Sequence, residues 1–95
     1  MRKYELLYIL APTVEEDQIK ETIERYNNVL KNNGAEIEKV DEMGKRRLAY
    51  EINDFKDGYY VVVYTQAEPA AIDEFDRLIK IDDNVIRHLV VKDED

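Results

Sequence analysis

Segments typical of β-strands and segments typical of amphipathic helices alternate along this chain in the order βαββαβ. Branched and aromatic side chains predict a first strand over residues 2–10 (RKYELLYIL) and a last strand over residues 85–91 (VIRHLVV). Between them, extended segments cover residues 35–52, with a bend or bulge at Gly44, and residues 58–66 (GYYVVVYTQ). The polar segment 53–58 separates these two and carries the turn signal Asp57-Gly58. The chain has 95 residues, which is enough for one domain, and few folds of that size have this order of elements.

Both helical segments have recognisable ends and one apolar face. Thr13 forms a capping-box pattern with Glu16 at the start of the first helix, and Asn33-Gly34 ends that helix. Glu68-Pro69 opens the second helix, and Asp82-Asp83-Asn84 ends it. Apolar residues recur at helical spacing at Ile19, Ile23, Tyr26 and Leu30 in the first helix and at Ile72, Phe75, Leu78 and Ile79 in the second.

This order folds most simply as an α+β sandwich of the ferredoxin-like type, a four-stranded antiparallel sheet with both helices on one face. Alternation along the first strand divides its side chains between the two faces. We expect Tyr8 to lie on the helix side, against Ile23 or Leu30, and Leu7 and Ile9 to lie on the open side. Because a sheet that is apolar on both faces usually has both covered, we predict a protein partner on the open face.

The charge of the chain limits its partners. Twenty-two acidic residues against 14 basic ones give a formal net charge of −8, whereas a general nucleic-acid binder is basic. Distant exposed charges are screened beyond about 8 Å at physiological salt, so a narrow basic patch remains compatible with this charge.

We predict one domain over residues 1–92 and a short acidic tail over residues 93–95.

Residue types that are missing exclude several classes of protein. Without cysteine there is no disulfide scaffold, and without serine there is no serine nucleophile. The apolar runs, such as residues 59–64, are too short to span a bilayer, and we predict a cytoplasmic protein without a membrane segment. His88 is the only histidine, and no phosphate-binding glycine loop is present. We therefore predict no enzyme activity, no cofactor, no metal ion and no small-molecule substrate.

The densest positive charge lies in residues 44–52, GKRRLAYEI. Lys45, Arg46 and Arg47 are consecutive in a predicted strand, so alternation directs Lys45 and Arg47 to one face and Arg46 to the other. Clustered cations of this kind contact phosphate, although a solvated strand segment is the alternative. A second set of cations lies on the first and last strands, which are neighbours in this fold: Arg2, Lys3, Arg87 and Lys92.

Two classes of binding module have this βαββαβ order of elements. An RNA recognition motif has a characteristic third strand, and residues 57–64, DGYYVVVY, match its pattern in part. Tyr8 on the helix side could not stack on a base, which disfavours that motif. A regulatory module of the same fold that binds a small molecule is the other alternative.

Four segments carry a resemblance to a known family. The central stretch 44–52, the following Gly58-Tyr59-Tyr60, the opening 2–10 and the closing 83–92 resemble the sixth protein of the bacterial small ribosomal subunit. The resemblance extends from Met1 to Lys92.

The resemblance implies a ferredoxin-like ribosomal protein without enzyme activity. It implies binding to small-subunit ribosomal RNA in the central domain, a heterodimer with the basic eighteenth small-subunit protein, and a cytoplasmic location on the ribosome. A basic partner also suits an acidic chain, because complementary fields favour association. The candidate partner contacts are Leu7, Ile9, Leu48, Tyr50 and Tyr59.

Overall fold

The computed structural model describes residues 1–93 of this chain. Its elements are β1 (Arg2–Leu10), α1 (Glu16–Asn32), β2 (Glu36–Ile52), β3 (Phe55–Ala67), α2 (Pro69–Ile79) and β4 (Val85–Asp93). The predicted order βαββαβ is therefore confirmed. Asp93 ends β4, and the other two residues of the predicted acidic tail lie outside the described residues.

The four strands form one antiparallel sheet in the order β2-β3-β1-β4. Strand β1 lies inside the sheet, where Leu7 pairs with Val62 of β3 on one side and with Leu89 of β4 on the other. The apolar faces of α1 and α2 share one core with β1 and β3. This is the predicted ferredoxin-like sandwich. Within residues 1–93, no helix combines the length and the hydrophobicity needed to cross a bilayer.

An aromatic cluster lies at the centre of this core. Tyr8 is fully buried, and its ring centre is 5.6 Å from that of Tyr26 on α1 and 6.2 Å from that of Phe75 on α2. Ile23 and Leu30, the predicted neighbours of Tyr8, belong to the same core. The helix-side position of Tyr8 is thus as predicted, and Tyr8 cannot stack on a base as in an RNA recognition motif.

The start of α1 differs from the prediction. The helix begins at Glu16 with Glu15 as its N-cap residue, and no side chain caps it, so the predicted capping box of Thr13 is wrong. The amide of Val14 instead donates to the carbonyl of Ala11 at 3.1 Å, which forms a turn before the helix. The end agrees with the sequence, since Gly34 follows the helix with φ of +86°.

The turn between β2 and β3 lies at the start of the predicted polar segment 53–58 and not at Asp57-Gly58. Asn53 and Asp54 have φ angles of +50° and +67°, and Ile52 pairs with Phe55 across them. A two-residue turn with two positive φ angles matches the right-handed twist of the flanking strands. The predicted turn residues Asp57-Gly58 therefore lie inside β3, and the hairpin is longer than the sequence indicated.

The hydroxyl of Tyr8 provides a test of the core. It is buried, and the structure gives it no hydrogen-bond partner within the described residues. Because an unsatisfied buried hydroxyl costs about 1–3 kcal/mol, Tyr8→Phe should leave the free energy of unfolding unchanged or raise it, as measured by urea denaturation.

Tyr26→Phe is the matched control. The Tyr26 hydroxyl donates to Asp82 Oδ2 at 2.5 Å, and a hydrogen bond to a charged group contributes about 1.5–3 kcal/mol. This variant should therefore be less stable than the wild type. A Tyr8→Phe variant destabilised as much as Tyr26→Phe would show that the Tyr8 hydroxyl is satisfied in solution.

Candidate nucleic-acid and partner interface

The sheet face opposite the helices carries an apolar strip. Residues paired across an antiparallel ladder share a face, and the rows that contain Leu7 and Glu5 thus bring five apolar positions together on the open side: Leu7, Val62, Tyr64, Leu89 and Val91. Leu89 and Val91 are 45% and 43% exposed, and Leu7 is half-buried. We name these five residues the apolar strip.

Ile9 is on the same face but offers almost no surface. Its side chain is 3% exposed because it fills the space beside Gly58, where a Cβ atom would lie 2.3 Å from Ile9 Cγ2. Leu48, another predicted partner contact, is also buried at 8% exposure. Ile9 and Leu48 are therefore packed inside the folded chain and offer little surface to a partner. Of the three predicted aliphatic contacts, only Leu7 has a partly exposed side chain.

The two predicted tyrosine contacts lie in different environments. Tyr59 shares the helix side with Val61, packs against the core, and donates its hydroxyl to Glu42 Oε1 at 3.0 Å. Burial, followed by this hydrogen bond to a carboxylate, raises the pKa of the Tyr59 phenol. Tyr50 is 62% exposed near the end of the β2–β3 hairpin. Tyr59 therefore does not face the apolar strip.

The cation triplet divides between the two faces of the sheet as alternation predicts. Arg46 pairs with Gly58 on the open side, whereas Lys45 pairs with Tyr59 and Arg47 with Asp57 on the helix side. All three cations are exposed. A register shift between Glu42 and Gly44, with φ of +82° at Gly44, forms the predicted bulge just before them.

The predicted second group of cations is separated in the structure. Lys92 pairs with Tyr4 and Arg87 pairs with Ile9, so the two cations are five positions, or about 17 Å, apart along β4. Arg2 and Lys3 lie at the end of the sheet where Lys92 is. Arg87 lies at the other end, where its Nη1 donates to the hydroxyl of Tyr50 at 2.5 Å. Arg87 thus lies beside the β2–β3 hairpin and not beside Arg2, Lys3 and Lys92.

Sequence reasoning missed part of the open face. Val62, Tyr64, Leu89 and Val91 of the apolar strip were not among the predicted partner residues, although the period-two alternation of β4 contains the signal for two of them. Lys56 was missed as well, and it lines a shallow cavity of about 300 Å³ together with Arg47 and Tyr50. Its nearness to Arg47 depends on the position of the turn at residues 53–54.

His88, the only histidine, lies on the helix side of the sheet, where it contacts an acidic residue of α2. His88 Nε2 lies 2.9 Å from Asp76 Oδ1 on α2, and Lys80 Nζ lies 2.7 Å from the other oxygen of the same carboxyl. Hydrogen bonding from Lys80, and then from His88, lowers the pKa of the Asp76 carboxyl. Among the described residues, no group of three or more acidic, histidine or cysteine side chains is arranged to hold a metal ion.

Comparison with known proteins identifies the family. The family model described as "Ribosomal protein S6" matches residues 3–92. The chain belongs to the ribosomal protein S6 family. It is 70% identical to the small ribosomal subunit protein bS6 of Shouchella clausii over 94 residues, which cover 99% of each chain. It is 66% identical to that of Halalkalibacterium halodurans over 95 residues, the whole of both chains.

A solved member of the S6 family has the same fold. The crystal structure of 30S ribosomal protein S6 from Thermotoga maritima superposes with a TM-score of 0.93 at 30% sequence identity. The match covers 97% of this chain and 87% of that one. Membership of the S6 family makes this chain a structural protein of the small ribosomal subunit rather than an enzyme, located on the ribosome in the cytoplasm. The predicted resemblance is thereby confirmed.

The contact between Gly58 and Ile9 can be tested by adding a methyl group. Gly58→Ala would place its Cβ 2.3 Å from Ile9 Cγ2 and 3.3 Å from the carbonyl oxygen of Leu10. Because overpacking costs about 1–3 kcal/mol, we expect a loss of stability of that order in urea denaturation. In an Ile9→Ala background the same change should cost less. An equal cost in both backgrounds would mean that Ile9 does not occupy this space.

Proposed function

We propose that this chain binds small-subunit ribosomal RNA in the central domain, as one half of a heterodimer with the basic eighteenth small-subunit protein. The proposal rests on one observation, that apolar residues and cations occupy separate parts of the open face. The apolar strip occupies its middle, and Arg46 and Arg87 lie at the end nearest the hairpin. One protein can therefore present an apolar surface to a protein and a cationic end to RNA.

The RNA contact rests on the hairpin. Strand β2 is an edge strand, so cations on both of its faces are accessible to a phosphate backbone that approaches edge-on. Arg46 then contributes from the open side, and Lys45 and Arg47 from the helix side. A guanidinium can hold a phosphate with two parallel hydrogen bonds, which an ammonium cannot, so the two arginines carry most of the contact.

The partner contact rests on the apolar strip and its charged border. Rows of paired residues place Glu5 beside Tyr64 and Val91, and Asp41 beside Val62. Lys3 and Lys39 also border the strip, the latter with its Nζ 5.9 Å from the ring centre of Tyr64. The apolar centre suits a protein partner because its burial stabilises a complex, whereas the two carboxylates and two lysines at the border balance in charge. The net charge of −8 of the whole chain favours a basic partner, since charge complementarity steers association.

The RNA contact can be tested by removing the two arginines. We expect Arg46→Ala/Arg47→Ala to weaken RNA binding by the heterodimer across related RNA sequences alike, since phosphate contacts read little sequence. The salt dependence of log K should flatten by about 0.7 to 0.9 for each phosphate that is no longer neutralised. The measurement is RNA affinity at several salt concentrations.

The control for this test removes two exposed cations from α1. Lys20→Ala/Lys31→Ala changes the net charge equally but on the helix side of the molecule. It should leave the affinity and the slope near the wild-type values. If both double variants behave alike, the effect comes from net charge and the hairpin is not the RNA contact.

The partner contact can be tested on β4. Leu89→Glu/Val91→Glu changes two exposed side chains, so the fold should persist in thermal melting. Removing two apolar side chains that each contribute about 1 kcal/mol or more should weaken heterodimer formation at least roughly 30-fold in calorimetry. Ile81→Glu, at an exposed position after α2, is the control and should pair normally. Unchanged pairing of the β4 variant would move the contact to another surface.

A further inference from the structure

Tyr50 is unusual among the aromatic residues of this chain. Within residues 1–93 it is the only aromatic side chain that the solvent reaches over more than half of its surface, at 62% exposure. The ladder between β2 and β3 is interrupted between Arg47 and Ile52, so Tyr50 lies in a stretch without regular pairing to β3. An exposed ring on irregular backbone contributes little to the core, which leaves its position to be explained by a ligand.

A contact across the sheet holds the Tyr50 ring. Arg87 of β4 donates from Nη1 to the Tyr50 hydroxyl at 2.5 Å, and its guanidinium carbon lies 5.8 Å from the ring centre. Strands β3 and β1 lie between β2 and β4 in the sheet, so this contact joins the end of the hairpin to the far edge strand. An aromatic ring fixed in this way loses little conformational freedom when a ligand stacks on it.

The surroundings of Tyr50 are cationic. Arg47 and Lys56 line the same shallow cavity, and Arg87 contacts the ring, while Glu51 is the one carboxylate in the cavity lining. Residues 45–58 as a whole carry four cations against three carboxylates, in a chain whose net charge is −8. This end of the sheet is therefore the place where an anionic ligand is least repelled.

We propose that Tyr50 is a stacking platform for one unpaired base of the bound RNA, with Arg47 and Lys56 facing the adjoining phosphates. The proposal rests on the proposed function and extends it from phosphate contacts to a base contact. Sequence-specific RNA recognition targets unpaired bases, which stack on exposed aromatic rings. A basic protein partner is disfavoured at this position, because like charges across an interface are destabilising.

The test compares Tyr50→Ala with Tyr50→Phe in the heterodimer, using a central-domain fragment of small-subunit ribosomal RNA. Tyr50→Ala should weaken RNA binding by about 5- to 150-fold, the range found when a stacking aromatic is truncated. The slope of log K against log salt should stay at its wild-type value, since no cation is removed. Tyr50→Phe keeps the ring and should bind within about tenfold of wild type and more tightly than Tyr50→Ala. Thermal melting of both variants checks that they fold.

A second measurement locates the base. Abasic substitutions at each unpaired position of the RNA fragment should weaken wild-type binding at one position where the Tyr50→Ala variant is insensitive, as expected for two groups in contact. Wild-type affinity of the Tyr50→Ala variant for RNA would overturn the inference while leaving the proposed function intact. Weaker pairing of that variant with the basic partner in the absence of RNA would assign Tyr50 to the protein interface instead. Failure of the wild-type heterodimer to bind RNA would overturn both proposals.

Discussion

The contact of Tyr8 with Tyr26 and Phe75 determines which face of the sheet the helices cover. The ring of Tyr8 on β1 meets one aromatic residue from each helix, and these two rings lie 5.6 Å apart. Because successive side chains of a strand alternate, burying Tyr8 directs Leu7 to the opposite face. The open face, and with it every surface available to a partner on the sheet, therefore depends on this one cluster.

A second constraint, the missing side chain at Gly58, shapes the open face itself. Ile9 fills the space beside Gly58, which removes one apolar side chain from the solvent at the hairpin end of the sheet. Arg87, which pairs with Ile9, and Arg46, which pairs with Gly58, lie next to this filled space and remain exposed. On β4 the apolar strip thus gives way to a cation two residues along the strand, from Leu89 to Arg87.

The sequence predicted most local features, with the capping box of Thr13 as an exception, and it predicted long-range features poorly. The order of elements, the bulge at Gly44 and the opposite directions of Arg46 and Arg47 follow from periodicity and glycine chemistry, which act over a few residues. The role of Gly58 was mistaken for a turn because its cause is a contact with Ile9, 49 positions earlier in the chain. The separation of Arg87 from Lys92 likewise depends on the register between β1 and β4, which no local pattern contains.

The arrangement of charge is compatible with the proposed RNA contact of so acidic a chain. Its carboxylates include clusters on α1 and along β2 before Gly44, whereas the hairpin end has a small excess of cations. Because exposed charges more than about 8 Å apart are largely screened at physiological salt, an RNA bound at the hairpin end as proposed would interact mainly with Arg46, Arg47 and Arg87. The acidic remainder would then favour the proposed basic partner instead of opposing the RNA, so the negative net charge and the cationic hairpin suit the two proposed ligands separately.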